Sequence, residues 1–254
     1  MRTEVGSYVY GVVADPDRTG DRLPDGLTGL QGASLRLVRH EGLAAVVSDA
    51  PLEGRPGRAA ELRSHGEVLD ALAKATGVVP AQFGAVLPDD DDVVAEVLAP
   101  RVAELTDLVE QLRGRVQLNL QASYHEDVVL AEVVASDPEV AALRERTRDL
   151  PEDAGYGERV RLGELVSRAL EAKRADDTEV LLDAVVPHVD AWAERGSAGG
   201  VDSLLDVALL VPLSRVAEVE QHLEGLAEAV HERIRLRLVG PVAPYDFVGG
   251  EGWA

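Results

Sequence analysis

Cysteine is absent from the 254-residue chain, and this absence excludes disulfides, thiolate metal sites and cysteine nucleophiles. No apolar run approaches the roughly 18 residues that a membrane-spanning helix needs. The N-terminus also lacks a basic region followed by an apolar stretch, so no secretory signal is visible. We therefore expect a cytoplasmic protein that is neither embedded in a membrane nor exported.

Basic and aromatic residues are both scarce. Lysine and arginine number 25 against 46 aspartates and glutamates, which gives a formal net charge of −21. Such a charge repels nucleic acids, and no basic stripe with interleaved aromatic residues offsets it. We therefore predict no nucleic-acid partner. The only aromatic residues are 2 Trp, 5 Tyr and 2 Phe, so the position of each ring is informative.

The first part of the chain has the pattern of an α+β domain. Strands are predicted at residues 7–13, 34–39, 43–48 and 79–87, and the last of these contains Pro80, which favours an edge or bulged strand. The Glu41-Gly42 pair lies between two apolar runs and predicts a hairpin turn. Apolar residues recur at helical spacing over residues 58–76, and Gly77 is a suitable helix end. We place this domain at residues 1–114.

The second part, residues 115–254, alternates strands with helices. Strands are predicted at 115–123, 204–211 and 233–239, and helices at 158–173, 177–194 and 214–230. Residues 195–200 are typical of a flexible connector. Treated as βαβαβ, this order predicts a ferredoxin-like domain that lacks one edge strand and carries extra helices. The strand at 204–211 is apolar on both faces, so at the vacated edge it would need cover from the other domain or a partner.

Catalytic and cofactor motifs are missing from the sequence. It contains no phosphate-binding loop, no nucleophile elbow and no histidine pair at zinc-binding spacing, so we predict no enzyme, cofactor or metal site. The acidic run Asp89-Asp90-Asp91-Asp92 is interpreted as a helix start. The one cluster that could support acid–base chemistry is Tyr124-His125-Glu126-Asp127 at a strand end.

Two features near the C-terminus allow both a structural and a functional interpretation. Arg233, Arg235 and Arg237 alternate along the last strand, where they could pair with internal acids or dock an acidic partner. The following segment holds two prolines, Tyr245 and Phe247. Those rings could fasten the tail to the C-terminal domain or anchor another protein.

The sequence resembles the gas vesicle accessory proteins of the GvpF/GvpL type over nearly its whole length. The matching stretches are Tyr8-Val9-Tyr10-Gly11, Gly42-Leu43-Ala44-Ala45-Val46-Val47-Ser48, His65, Val79-Pro80-x-x-Phe83-Gly84-x-Val86, Tyr156, Leu162-Gly163-Glu164, Leu210-Val211-Pro212 and Gly240-Pro241-x-x-Pro244-Tyr245-x-Phe247-Val248.

This resemblance implies a non-enzymatic assembly factor or minor vesicle component that works in gas vesicle formation. Its implied partners are the small hydrophobic shell protein and other vesicle accessory proteins. Phe83, Tyr245 and Phe247 are candidate structural aromatics or partner contacts. The alternative is a regulatory module that binds a small molecule in a domain cleft, and an enzyme using the Tyr124 cluster is third.

Overall fold

A computed structural model describes residues 5–20, 23–52, 57–149, 151, 155–196 and 202–249. By internal contacts the chain forms two compact units. The first consists of the chain up to Leu118, Ala208–Val216 and the residues from Val239 onward. The second consists of Asn119–Val207 and Ala217–Leu238. The boundary at residue 114 stays a prediction.

The first sheet is built around strand β1, Val5–Ala14, in which every residue after Val5 is buried. Its elements, in chain order, are β1, α1 (Pro16–Thr19), β2 (Arg36–His40), β3 (Leu43–Pro51), α2 (Ala59–Ala75), β4 (Val79–Pro80) and β5 (Val86–Leu87). The strand order is β2-β3-β1-β4, with β5 also on β1. The predicted strand at 79–87 is therefore two short strands on one edge of β1, separated by a loop that carries Phe83.

The β2–β3 hairpin has the predicted turn, in which Glu41 and Gly42 both adopt positive φ. Between β1 and β3 the register shifts at Tyr10, because Val9 pairs with Val47 and Gly11 pairs with Val46. Tyr10 is therefore the extra residue of a β-bulge. The bulge gives its side chain a position that a regular ladder would not provide.

The helix after β5 is interrupted, as the proline within it predicts. Helix α3, Asp90–Asp92, begins with the Asp89 side chain accepting a hydrogen bond from the Asp92 amide at 2.9 Å. A wider π-type turn and a 3₁₀ turn containing Pro100 follow, and α4, Val102–Leu112, then continues to the second sheet. The acidic run is thus a helix start, in agreement with its interpretation from sequence.

The second sheet contains four strands, and one of them was not predicted. Its elements, in chain order, are β6 (Arg115–Tyr124), α5 (Glu126–Ser136), α6 (Pro138–Arg148), α7 (Tyr156–Val185), β7 (Ala191–Glu194), β8 (Ser203–Pro212), α8 (Val216–Val230) and β9 (Ile234–Val242). The strand order β7-β8-β6-β9 follows the ferredoxin-like arrangement.

The mixed helix-and-sheet prediction is confirmed, but the sheet does not lack an edge strand. Helix α7 ends at Val185, one residue before a short turn containing Pro187, and β7 follows where a helix had been predicted. Because β7 pairs with β8, the apolar strand β8 is internal and Leu204–Val211 is not an open edge. The predicted connector from residue 197 onward lies outside the described residues. Among the described helices, none is long and apolar enough to cross a membrane.

Candidate functional site: the open edge of the second sheet

Phe83 belongs to an aromatic cluster in the core of the first unit. The Tyr8 and Tyr10 rings have centroids 4.9 Å apart, and His65 lies 5.6 Å from each of Tyr8, Tyr10 and Phe83. Phe83 is half-buried and packs against the same core. The structure therefore gives Phe83 a packing role, and its role as a partner contact stays a prediction.

His65 occupies a position on α2 where an aliphatic residue would be expected. The buried residues of this helix follow one stripe: His65, Val68, Leu69, Leu72 and Ala73. The Tyr8 hydroxyl lies 2.8 Å from Nδ1 of His65 and accepts a hydrogen bond from the Gly84 amide. We assign Nδ1 as the acceptor and Nε2 as protonated, although Nε2 has no partner of regular geometry among the described residues. Burial lowers the pKa of His65 to about 4, against a smaller opposing effect of the Ala81 backbone.

The Tyr10 hydroxyl also forms a hydrogen bond with a buried backbone group. Tyr10 accepts a hydrogen bond from the Leu30 amide at 2.7 Å and lies 3.0 Å from the Ser48 hydroxyl. Burial raises the pKa of Tyr10 and of Tyr8, so both phenols stay neutral. The cluster is thus a hydrogen-bonded part of the buried core.

The C-terminal tail contacts α2 and the start of β6, both in the first unit, and β6 also belongs to the predicted C-terminal domain, residues 115–254. The Ala243 amide donates to Asp70 of α2 at 2.8 Å, and Ala243 is fully buried in the aromatic core. The Asp246 amide donates to the Gln117 side chain of β6 at 3.0 Å. Tyr245 is 39% exposed and Phe247 is half-buried. These contacts support the structural interpretation of the tail.

The Tyr124 cluster is part of an ion-pair network. The Tyr124 hydroxyl donates to Asp177 of α7 at 2.7 Å. Burial is the main cause of the raised pKa of Tyr124, and this hydrogen bond is the second. His125 is directed elsewhere, since its Nε2 lies 3.2 Å from the His231 carbonyl oxygen. Glu126 and Asp127 begin α5. Tyr124 and His125 therefore bond to different groups, and this arrangement does not support acid–base chemistry between them.

The three arginines of the predicted ladder divide into two groups. Arg233 precedes β9 and pairs with Asp177 and with Glu132 of α5, each at 2.8 Å. It is therefore an internal ion-pair residue. Arg235 and Arg237 lie within β9 and are exposed, and Arg235 has a weak contact of 3.5 Å to Nδ1 of His125. The predicted alternation of exposed arginines along the last strand therefore holds for Arg235 and Arg237 only.

An apolar groove lies beside the same strand, between β9 and α8. It has a volume of about 400 Å³ and is lined by Leu120, Leu223, Ala227, Leu236 and Leu238, with Glu220 and Glu224. Leu236 and Leu238 are half-buried, and the rest of β9 after Ile234 is half-buried or exposed. The groove therefore leaves apolar surface accessible beside two acidic side chains.

This groove was not predicted, although its residues carry a signal. The alternation of Ile234, Leu236 and Leu238 and the apolar stripe of α8 are both visible in the sequence. The missing information was which sheet edge stays open. Sequence reasoning placed an uncovered edge at β8, whereas the strands at the two ends of the sheet are β7 and β9.

Comparison with known proteins places this geometry in a family. The model of the family "Gas vesicle synthesis protein GvpL/GvpF" matches residues 6–249. The chain is 31% identical to gas vesicle protein F of Streptomyces sp. strain CB03234 over 246 residues, which cover 96% of this chain and 100% of that protein. It is 28% identical to gas vesicle protein L of the same strain, with 98% and 95% covered.

A solved structure shows the same fold. The crystal structure of gas vesicle protein GvpF from Anabaena sp. PCC7120 superposes with a TM-score of 0.81 at 24% sequence identity, and the match covers 97% of this chain and 99% of that one. The family model spans both sheets and the tail, and it agrees with the resemblance seen in the sequence motifs. The chain therefore belongs to the GvpL/GvpF family of gas vesicle synthesis proteins.

Proposed function

We propose that this protein acts in gas vesicle formation by binding the small hydrophobic shell protein, without catalysis. The GvpL/GvpF relatives named above are gas vesicle proteins, and this supports a role in vesicle formation. The binding of shell protein is the finer part of the proposal. The observation that carries it is the accessible apolar groove beside β9.

The groove suits the task of holding an aggregation-prone subunit. Its apolar floor can bury hydrophobic side chains of a partner, a contribution of roughly 25 cal/mol for each Å² removed from water. The surrounding molecule carries a formal charge of −21, which keeps complexes from associating with one another. A non-catalytic role is supported by the contacts of the Tyr124 cluster. The Tyr124 hydroxyl is hydrogen bonded to Asp177, and Nε2 of His125 lies near the His231 carbonyl oxygen.

The test is co-expression with tagged shell protein, followed by purification at low and at high salt. We expect the shell protein to remain in the soluble fraction only with its partner, and salt to leave the complex intact because the contact is apolar. The variant L236S/L238S should lose the shell protein. The control V180S removes an exposed valine of α7 and should retain it. The proposal would be refuted if the shell protein precipitated despite co-expression with the wild type. It would also be refuted if the shell protein co-purified equally well with L236S/L238S.

A further inference from the structure

Strand β9 has an outer edge without a neighbouring strand among the described residues. The strand order places β6 on its inner side and no strand on the other. β9 is nine residues long, and Arg235, Arg237 and Val239 are exposed along it, Val239 to 41%. Such an edge is a template for one more strand.

The hydrogen-bonding register of β9 identifies the backbone groups that face outward. The His125 amide, just after β6, donates to the Arg233 carbonyl at 2.9 Å, so this carbonyl is directed toward the β6 side of the strand. In an antiparallel pair both polar groups of a residue point to the same side, and the direction alternates along the strand. The amides and carbonyls of Leu236 and Leu238 therefore point to the open edge.

The two faces of β9 differ in chemistry. Leu236 and Leu238 face the apolar groove, whereas Arg235 and Arg237 are exposed and belong to the opposite face. We propose that the β9 edge accepts a partner strand that alternates apolar and acidic side chains. The apolar side chains cover the groove, and the acidic ones lie opposite Arg235 and Arg237. Arg235 and Arg237 would each form a non-hydrogen-bonded pair with an acidic residue of the partner strand. In such pairs the side chains of adjacent strands approach most closely.

The charges also disfavour a second copy of this chain as the occupant in the register centred on Leu236. Antiparallel pairing of two β9 strands about Leu236 would set Arg235 of each copy opposite Arg237 of the other, and like charges directly opposite destabilise a ladder. The net charge of −21 does not prevent an acidic strand from binding, because 0.15 M salt screens exposed charges beyond about 8 Å. The local arginines decide the pairing.

This inference deepens the proposed function, because it names the kind of segment that would occupy the same groove. Its test uses the full-length protein and short fluorescent peptides in which valine alternates with glutamate or with lysine. We expect the glutamate peptide to bind the wild type and the lysine peptide to bind about tenfold more weakly. In R235E/R237E this preference should reverse. The control R144E/R168E changes two exposed helical arginines and should keep the wild-type preference.

Hydrogen exchange distinguishes strand addition from other binding modes. Binding of the glutamate peptide should slow amide exchange at Leu236 and Leu238 and leave the amides of Arg235 and Arg237, already directed toward β6, little changed. A peptide preference that R235E/R237E does not alter, unchanged exchange at Leu236 and Leu238, or an absence of binding would each overturn the inference. Shell protein that still co-purifies in any of these cases would leave the proposed function intact.

Discussion

Strands β1 and β9 lie in different sheets and differ in how they use polar groups. β1 is buried after Val5, and its tyrosine hydroxyls are hydrogen bonded to His65, Ser48 and backbone amides. β9 buries Ile234 alone and leaves two arginines exposed. A buried polar network is costly to disturb because any orphaned group is desolvated. Substitutions should therefore be costly around β1 and well tolerated along β9.

The largest expected effect is a pH dependence of stability that originates at His65. Its pKa is about 4 in the folded protein and 6.5 as a free side chain, so below pH 6.5 the unfolded state binds a proton that the folded state excludes. Stability contributed by neutral His65 is complete above pH 6.5 and falls as the pH is lowered, by about 3 kcal/mol at pH 4. Urea unfolding from pH 7 to pH 4 measures it.

The matched variant for this measurement is H65Q. Comparison with the wild type removes the contribution of the many carboxylates, which the two proteins share. H65Q should show a shallower fall in the free energy of unfolding than the wild type between pH 6.5 and 4. Parallel curves for H65Q and the wild type would show that His65 is not held neutral.

The next effect concerns a close backbone approach at the bulge in β1. A Cβ atom added at Gly11 would lie 2.7 Å from the Val79 carbonyl oxygen and 2.8 Å from a Val78 methyl group. Gly11→Ala should therefore lower the free energy of unfolding by about 2 kcal/mol. Gly66→Ala is the control, because nothing lies within 4 Å of its added Cβ in α2, and it should stabilise by about 0.5 kcal/mol. Equal effects in denaturant melts would contradict this description of the bulge.

The smallest effect distinguishes two arginines of the predicted ladder. Arg233→Gln removes a partner of Asp177 and Glu132 and should cost about 1 kcal/mol. Arg237→Gln, on the exposed part of β9, should change stability by less than about 0.5 kcal/mol. Thermal unfolding at one pH measures both, and a loss at Arg237 as large as at Arg233 would place Arg237 in an interaction that the structure does not show.

Periodicity predicted the elements that have one clear buried face. β1, the β2–β3 hairpin, α2, β6 and α8 all follow from alternation or from a helical stripe. β7 was missed because four residues after a proline carry too little pattern to identify a strand, and the preceding helical pattern was extended over them. The sequence predicted two helices separated near Ala175, whereas α7 is one continuous helix. Within it, Nζ of Lys173 lies 3.7 Å from the Asp177 carboxylate one turn later.

The candidate site was harder to predict than the fold. Arg235 and Arg237 were identified as candidates, whereas Leu236 and Leu238 were not, because alternation reveals the two faces of a strand but not what covers each face. Which strand ends a sheet depends on pairing between distant segments. Because β7 was missed, β8 was predicted to be an uncovered edge and attention went to β8, although β9 ends the sheet with or without β7.

The way in which the tail closes the first core has a consequence for synthesis. That core includes Tyr8 and Ala243, and the Ala243 amide is bonded to Asp70, so its parts are separated by most of the chain. A chain emerging from the ribosome N-terminus first cannot complete this core until Ala243 has been translated. Loop closure over such a separation is slow compared with local folding. The parts of the first core made early can pack against one another, but the core stays incomplete until Ala243 has been translated and bonded to Asp70.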